Sequence, residues 1–192
     1  MFDNLAALWL PILVSAAAVW VASALMWMLV NHHDGDFSPL PSEVENDLVA
    51  RLRAAAVRPA VYLIPHVANL GGDKKAQQAK FMEGPSGTLT LFPKPDGARM
   101  GRNMILSVLV YLAVSFVMAY LGTLALPVRS SEATFTRVFQ FMGTAGVLAY
   151  AFAMLPNGIW FAQSTRALVL HFIDGVIYGL AAGAVFAWLW PR

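Results

Sequence analysis

Long stretches without a charged side chain are the feature that most constrains this sequence. Residues 4–31 and 103–128 contain no Asp, Glu, Lys or Arg, and 167–190 contains only Asp174. A helix needs about 20 apolar residues to cross the hydrocarbon core of a bilayer, so each stretch predicts a membrane span. A shorter apolar run at 138–155 predicts another. The spans are therefore expected at 5–30, 103–128, 138–155 and 167–190.

Composition agrees with a membrane class. The 192 residues are 58% hydrophobic and 12% charged, whereas soluble domains carry about 25% charged residues. The absence of cysteine excludes disulfides and thiolate chemistry. No basic residue precedes the first apolar run, so we do not expect a cleaved signal peptide.

The polar segment 32–102 predicts a small α/β insert between the first two spans. Ser42 and Glu45 form a Ser-x-x-Glu capping box, which predicts the start of a helix. Short runs of β-branched and aromatic residues predict strands. The expected elements are a helix at 42–56, a strand at 61–64, a helix capped by Asp73, and a strand at 88–92. The fold class is thus an all-α transmembrane four-helix bundle with an α/β insert, divided into 1–31, 32–102 and 103–192.

The distribution of Lys and Arg predicts the orientation. Of the 13 basic residues, nine lie in the insert and Arg166 is on the same side, whereas the other side carries Arg129, Arg137 and Arg192. The positive-inside rule then places the insert in the cytoplasm and both termini in the periplasm of a bacterial inner membrane. Arg99 and Arg102, beside the second span, are expected to contact lipid headgroups. The insert has no recognisable nucleic-acid-binding module, so no nucleic acid is expected.

Asp174 is the most informative side chain, since a carboxylate within a span costs roughly 2.5–3.5 kcal/mol on insertion scales. His171 and Tyr178 share its helix face. Two interpretations are open: a hydrogen-bonded clamp that fixes helix packing, or a proton relay or polar substrate site. We favour the clamp, because polar pairs commonly link membrane helices.

A second polar group follows the first span directly. Imidazole and carboxylate are ligand types for zinc, iron or manganese. The predicted topology brings this group to the membrane face where the fourth span begins, so the two polar groups could meet, and His66 could join them. The candidate divalent-metal or proton site comprises His32, His33, Asp34, His171 and Asp174, with Asp36 nearby. The alternative is a polar surface linker without a metal, and the spacing matches no standard metal motif.

Glycines recur at i, i+4 and i+8 in the fourth span, as Gly175, Gly179 and Gly183. Small residues at this spacing predict close packing of membrane helices.

Three short segments carry a resemblance. They are Asn31-His32-His33, Gly84-Pro85-x-Gly87 and Phe172-Ile173-Asp174-Gly175. With the order of one span, an insert and three spans, the chain resembles a family of small bacterial inner-membrane proteins to which no activity is attached. The resemblance therefore implies no functional residues.

The sequence contains no catalytic constellation, so an enzyme is not the favoured reading. The leading prediction is a non-catalytic accessory or assembly subunit that lies in the lipid bilayer and packs against other membrane subunits or itself. The alternative is a metal- or proton-handling enzyme or transporter-like protein with its site at the cytoplasmic membrane face. A homo-oligomeric pore ranks last, because the first three spans offer few polar residues.

Overall fold

The computed structural model describes residues 2–30 and 32–192. The protein is mainly helical, with one small sheet, and divides into two compact units. The helical unit contains Met100–Arg192 and the N-terminal residues up to Phe37, and the insert is Ser38–Arg99. The helices are α1 (Phe2–Ala6), α2 (Trp9–Met28), α3 (Ser42–Ala54), α4 (Lys74–Glu83), α5 (Gly97–Ala125), α6 (Phe135–Tyr150), α7 (Leu155–Trp160) and α8 (Thr165–Leu189), and the strands are β1 (Val61–Ile64) and β2 (Gly87–Thr90).

Four helical segments are long and apolar enough to cross a membrane. They are α2, α5, α8 and the segment Phe135–Trp160, which contains α6 and α7. Their number and order confirm the four apolar stretches predicted from the sequence. The protein is therefore a multi-pass helical chain with a small insert.

The first apolar stretch, predicted as one span at 5–30, is interrupted near its start. The chain turns at Ala7 and Leu8, and α2 begins at Trp9. Pro11 therefore lies in the first turn of α2, where a backbone N–H has no partner within the helix. Leu8 is fully buried at this turn and anchors the start of the span.

The third predicted span, 138–155, contains a break before its end. A single 3-10 turn at Phe152–Met154 separates α6 from α7, and Pro156 lies in the first turn of α7. Proline has no N–H to donate to the carbonyl four residues earlier, here that of Phe152, and it is tolerated in the first turn of a helix. The proline thus ends one helical segment and opens the next.

The helices α6 and α8 approach each other through their backbones. A Cβ atom added to Gly179 would lie 2.3 Å from the backbone N of Val147. Cβ atoms on Gly175 and Gly183 would come within 2.4 and 2.5 Å of the same helix region. No side chain fits in this contact, so the glycine face of α8 is already covered within the chain.

Two polar contacts join the other helices of this unit. Ser115 of α5 donates a hydrogen bond to Ser15 of α2, with an Oγ–Oγ distance of 3.2 Å between two fully buried side chains. The indole Nε1 of Trp190 donates to the carbonyl oxygen of Pro127 at 2.9 Å, and its ring covers Gly122. Large apolar side chains fill the space between, among them Val19, Met118, Val138, Met142 and Phe186.

The insert contains an antiparallel strand pair in which Val61 faces Thr90 and Ile64 faces Gly87. Asp73 caps α4, accepting hydrogen bonds from the backbone N–H groups of the next turn, as predicted. The predicted helix is present and begins at Ser42, but the prediction that Ser42 caps it was wrong. Here Pro41 occupies the N-cap position and no side chain caps α3.

Candidate functional site

Two segments of the helical unit build a cluster of histidines and carboxylates. One is the turn that follows α2, in which the backbone N–H of Asp36 donates to the carbonyl of His33. The other is the first half of α8, whose start is fixed by Ser164, because its hydroxyl accepts a hydrogen bond from the N–H of Ala167. We call the group formed by His32, His33, Asp36, His171 and Asp174 the His–Asp cluster.

Asp174 lies at the centre of the cluster and is only 2% exposed. Its Oδ1 is 2.9 Å from the Nε2 of His32, and its Oδ2 is 2.9 Å from the Nε2 of His33. Each carboxylate oxygen therefore faces one imidazole of the turn. Three of the residues that the sequence proposed as ligands, His32, His33 and Asp174, are therefore in direct contact.

Asp36 holds His33 from the other edge of its ring. The Asp36 Oδ2 is 2.5 Å from the His33 Nδ1, and its Oδ1 accepts a hydrogen bond from Nη1 of Arg166 at 2.8 Å. The Nη2 of Arg166 donates to the carbonyl oxygen of His32 at 2.7 Å. One guanidinium thus ties both ends of the turn to the start of α8. A Cβ at Gly35 would lie 3.0 Å from Nη1 of Arg166, so a larger residue there would press on the guanidinium.

Aromatic contacts enclose the cluster. The ring of Trp27 stacks on His33, with centroids 4.1 Å apart and planes 15° from parallel. The ring of His171 lies 4.8 Å from that of His33 and 5.8 Å from that of Trp27. An indole against an imidazole shields the cluster from water and restricts the orientation of His33.

The ring nitrogens and carboxylate oxygens lie close enough to share a metal ion in two overlapping groups. His32, His33 and Asp174 form one, and His33, Asp36 and His171 form the other. In each group the ligand atoms lie within 4.8 Å of one another. His33 belongs to both groups, so the role of one of its ring nitrogens, as ligand or as proton donor, limits the role that the other can take.

The charges of the cluster affect the protonation of His33. Burial lowers the pKa of its imidazole, but hydrogen bonds and charge attraction from Asp174 and Asp36 outweigh burial and raise the pKa above its ordinary value of 6.5. The charge of Asp36 is balanced by Arg166. The buried charge of Asp174 is therefore the one that requires a cation from the cluster itself.

Several predicted residues lie outside the cluster. Asp34 is exposed and has no hydrogen-bond partner among the residues described. His66 belongs to the insert, where its Nδ1 accepts from the N–H of Ala68. Arg99 bonds the Pro93 carbonyl and lies over the ring of Phe92. Arg102 is exposed on α5. Lipid contact by these two arginines stays a prediction.

Sequence reasoning missed the roles of Arg166 and Trp27. Arg166 precedes Asp174 by eight residues, slightly more than two helical turns, which places the two on neighbouring parts of one helix face. That spacing was a usable signal. Trp27 resembles any interfacial indole in sequence, and only the turn after α2 brings His33 back onto its ring.

Fold and site together define a class: a multi-pass helical protein with a buried His–Asp cluster where its first and last apolar helices meet. Comparison with protein-family models, curated proteins and solved structures finds no match to the chain. The resemblance to small bacterial inner-membrane proteins therefore stays a prediction.

Proposed function

We propose that this chain is an integral inner-membrane protein that binds a divalent transition-metal ion at the His–Asp cluster. The observation that carries the proposal is the position of Asp174, whose two oxygens each face the Nε2 of a histidine from a distant part of the chain. Imidazole nitrogen and carboxylate oxygen are the ligands that zinc, iron and manganese share in proteins.

A metal ion would also compensate the buried negative charge of Asp174. An ionised carboxylate that is 2% exposed is unfavourable unless a positive charge compensates it. Asp36 already has Arg166 as its partner, whereas Asp174 has no arginine or lysine partner in the part of the chain that is described. Either an imidazolium or a bound cation can neutralise it, and the convergence of two Nε2 atoms on its oxygens supports the cation.

Metal content tests this proposal directly. The protein would be purified in mild detergent with an affinity tag that lacks histidine, and its metals measured by mass spectrometry. Wild type should carry close to one transition-metal ion per chain, and the His32→Ala/His33→Ala double variant should carry little. His66→Ala is the matched control, because this exposed histidine lies in the insert. Absence of stoichiometric metal from wild type, also after incubation with zinc, iron or manganese, would overturn the proposal.

The proposed orientation places the insert in the cytoplasm and both termini in the periplasm. Its support is the excess of Lys and Arg in residues 32–102. The absence of cysteine allows a clean test with single introduced cysteines. A membrane-impermeant maleimide should label Ser130→Cys in intact cells, whereas Ser86→Cys should react only after the inner membrane is permeabilised. The reverse pattern would refute this orientation.

The accessory-subunit role stays a second proposal with weaker support. The glycine face that suggested a partner is occupied by α6 within the chain. Such a subunit should co-migrate with a defined partner chain on a native gel in mild detergent. It should also tolerate substitution of His32 and His33. Retained metal without any partner would favour the metal-binding proposal instead.

A further inference from the structure

The His–Asp cluster contains two overlapping groups of potential ligands, and the geometry separates their roles. We propose that the ion is held by His32 Nε2, His33 Nε2 and the Asp174 carboxylate, that Asp36 and Arg166 position His33, and that the remaining coordination positions are open to an exogenous ligand. This inference rests on the proposed metal-binding function and names the ligand set, the positioning pair and the open character of that same site.

Two of the three ligand pairs in the first group already have nearly the spacing that an ion requires. Two ligand atoms on a tetrahedral ion with bonds of about 2 Å lie roughly 3.3 Å apart. The corresponding distances from Asp174 to the Nε2 atoms of His32 and His33 are both 2.9 Å. For these two nitrogen–oxygen pairs, an ion that replaces the shared protons requires shifts of a few tenths of an ångström, and the two Nε2 atoms lie within 4.8 Å of each other.

The second group is less suited to binding an ion, because both oxygens of Asp36 are engaged. One contacts Nδ1 of His33 and the other accepts from Arg166. A metal on Asp36 would have to compete with a charge-assisted hydrogen bond from the guanidinium. His171 belongs only to this second group, so it borders the ion rather than holding it.

Asp36 instead has the position of a supporting carboxylate. A histidine that binds metal through Nε2 commonly donates its Nδ1–H to a carboxylate, which fixes the tautomer and the ring orientation. Asp36 Oδ2 faces His33 Nδ1 in this way. Arg166 in turn holds Asp36 and the backbone of His32, so one side chain stabilises both histidines.

Three protein ligands leave at least one position free. Structural zinc sites are closed by four protein ligands, whereas sites that bind water or substrate use three. Two histidines and one carboxylate are also the ligand set of open non-haem iron sites. In the described chain, no fourth histidine or carboxylate joins the group of His32, His33 and Asp174. The site therefore has the composition of a reactive centre.

Cobalt(II) provides the test, because its visible absorption reports coordination directly. Chelator-treated protein in lipid nanodiscs would be titrated with cobalt(II), and azide then added as exogenous ligand. Wild type should bind one ion and change its spectrum with azide. His32→Ala and Asp174→Asn, which each remove a proposed ligand, should lose stoichiometric binding. Asp36→Asn and Arg166→Lys should weaken it by about 10–100-fold, with the stoichiometry retained, as expected for supporting residues.

His171→Gln distinguishes the two groups. It should still bind one cobalt(II) ion, with a much smaller loss of affinity than His32→Ala, and still respond to azide. Loss of binding in His171→Gln with retention in His32→Ala would assign the ion to the second group and overturn the inference, and a spectrum insensitive to azide would overturn the open position. Both outcomes leave the proposed metal binding intact, whereas a wild type that binds no cobalt(II) rejects both. Gel filtration checks that each variant folds. If Asp174→Asn does not fold, His32→Ala, at a half-buried position, still tests the first group.

Discussion

The Oδ2 of Asp174 and the Nε2 of His33 lie 2.9 Å apart, although 141 residues separate them in the chain. This contact links the turn after the first apolar helix to the interior of the last one. Its geometry depends on the packing of α8 against its neighbours, so the stability of the helical unit and the properties of the cluster are coupled.

The contact between α6 and α8 should not accept even a methyl group at its centre. Gly179→Ala places a Cβ 2.3 Å from the backbone N of Val147, so the helices must separate. We expect a lower midpoint of thermal unfolding in detergent, corresponding to about 1–3 kcal/mol of overpacking. Gly101→Ala is the control, because nothing lies within 4 Å of its added Cβ and alanine favours the helix. Equal midpoints for both variants would contradict this packing.

The buried hydroxyl pair of Ser15 and Ser115 should behave as a coupled unit. Replacing either serine by alanine removes one partner of a fully buried hydrogen bond. Pairs of this kind in membrane proteins contribute about 0.6 kcal/mol on average. The double variant should therefore be less destabilised than the sum of the two single variants, as measured by thermal unfolding in a double-mutant cycle. Strict additivity would show that the two hydroxyls do not interact.

Trp190 should contribute more to stability than its neighbour Trp188. Trp190→Phe removes the N–H that bonds the Pro127 carbonyl and part of the ring that covers Gly122. The bond is part-buried, so its loss should cost about 1 kcal/mol, the net contribution of a typical hydrogen bond. Trp188 is 82% exposed, and Trp188→Phe should change the midpoint of thermal unfolding little. A larger effect at Trp188 would be incompatible with the described packing.

Arg166 should stabilise the turn through its fork of donors. In Arg166→Lys a single ammonium cannot bond both the Asp36 carboxylate and the His32 carbonyl in the geometry of a guanidinium. The expected loss of stability is about 1 kcal/mol, since the side chain is half-exposed and solvent weakens its ion pair. Arg51→Lys, in the exposed pair with Asp47, provides the control and should be near neutral. The comparison uses metal-free protein, so that ion binding does not contribute.

Much of the architecture could be predicted because it depends on local properties of the sequence. The four apolar stretches were identified from the absence of charge, and β1 and the Asp73 cap from short patterns. The position of the break before α2 could not be predicted. The break depends on the burial of Leu8 against other helices, and local helix propensities carry no information about such tertiary contacts.

The cluster was predictable in part for a related reason. Chain order brings the residues after the first span to the same end of the membrane as the start of the fourth, which suggested that His32 and His33 could approach Asp174. The choice among the acidic residues was not predictable. Asp36, rather than Asp34, faces the cluster because the turn directs it toward His33 and Arg166.

The burial of Asp174 has a consequence for how the chain is made. The last span leaves the ribosome with a carboxylate whose imidazole partners were synthesised with the first span, and insertion of that carboxylate alone costs roughly 2.5–3.5 kcal/mol. The turn after the first span thus supplies the partners that Asp174 of the last span needs. We therefore expect the final span to integrate stably, and to resist membrane proteases, only when residues 32–36 are already in place at the bilayer surface.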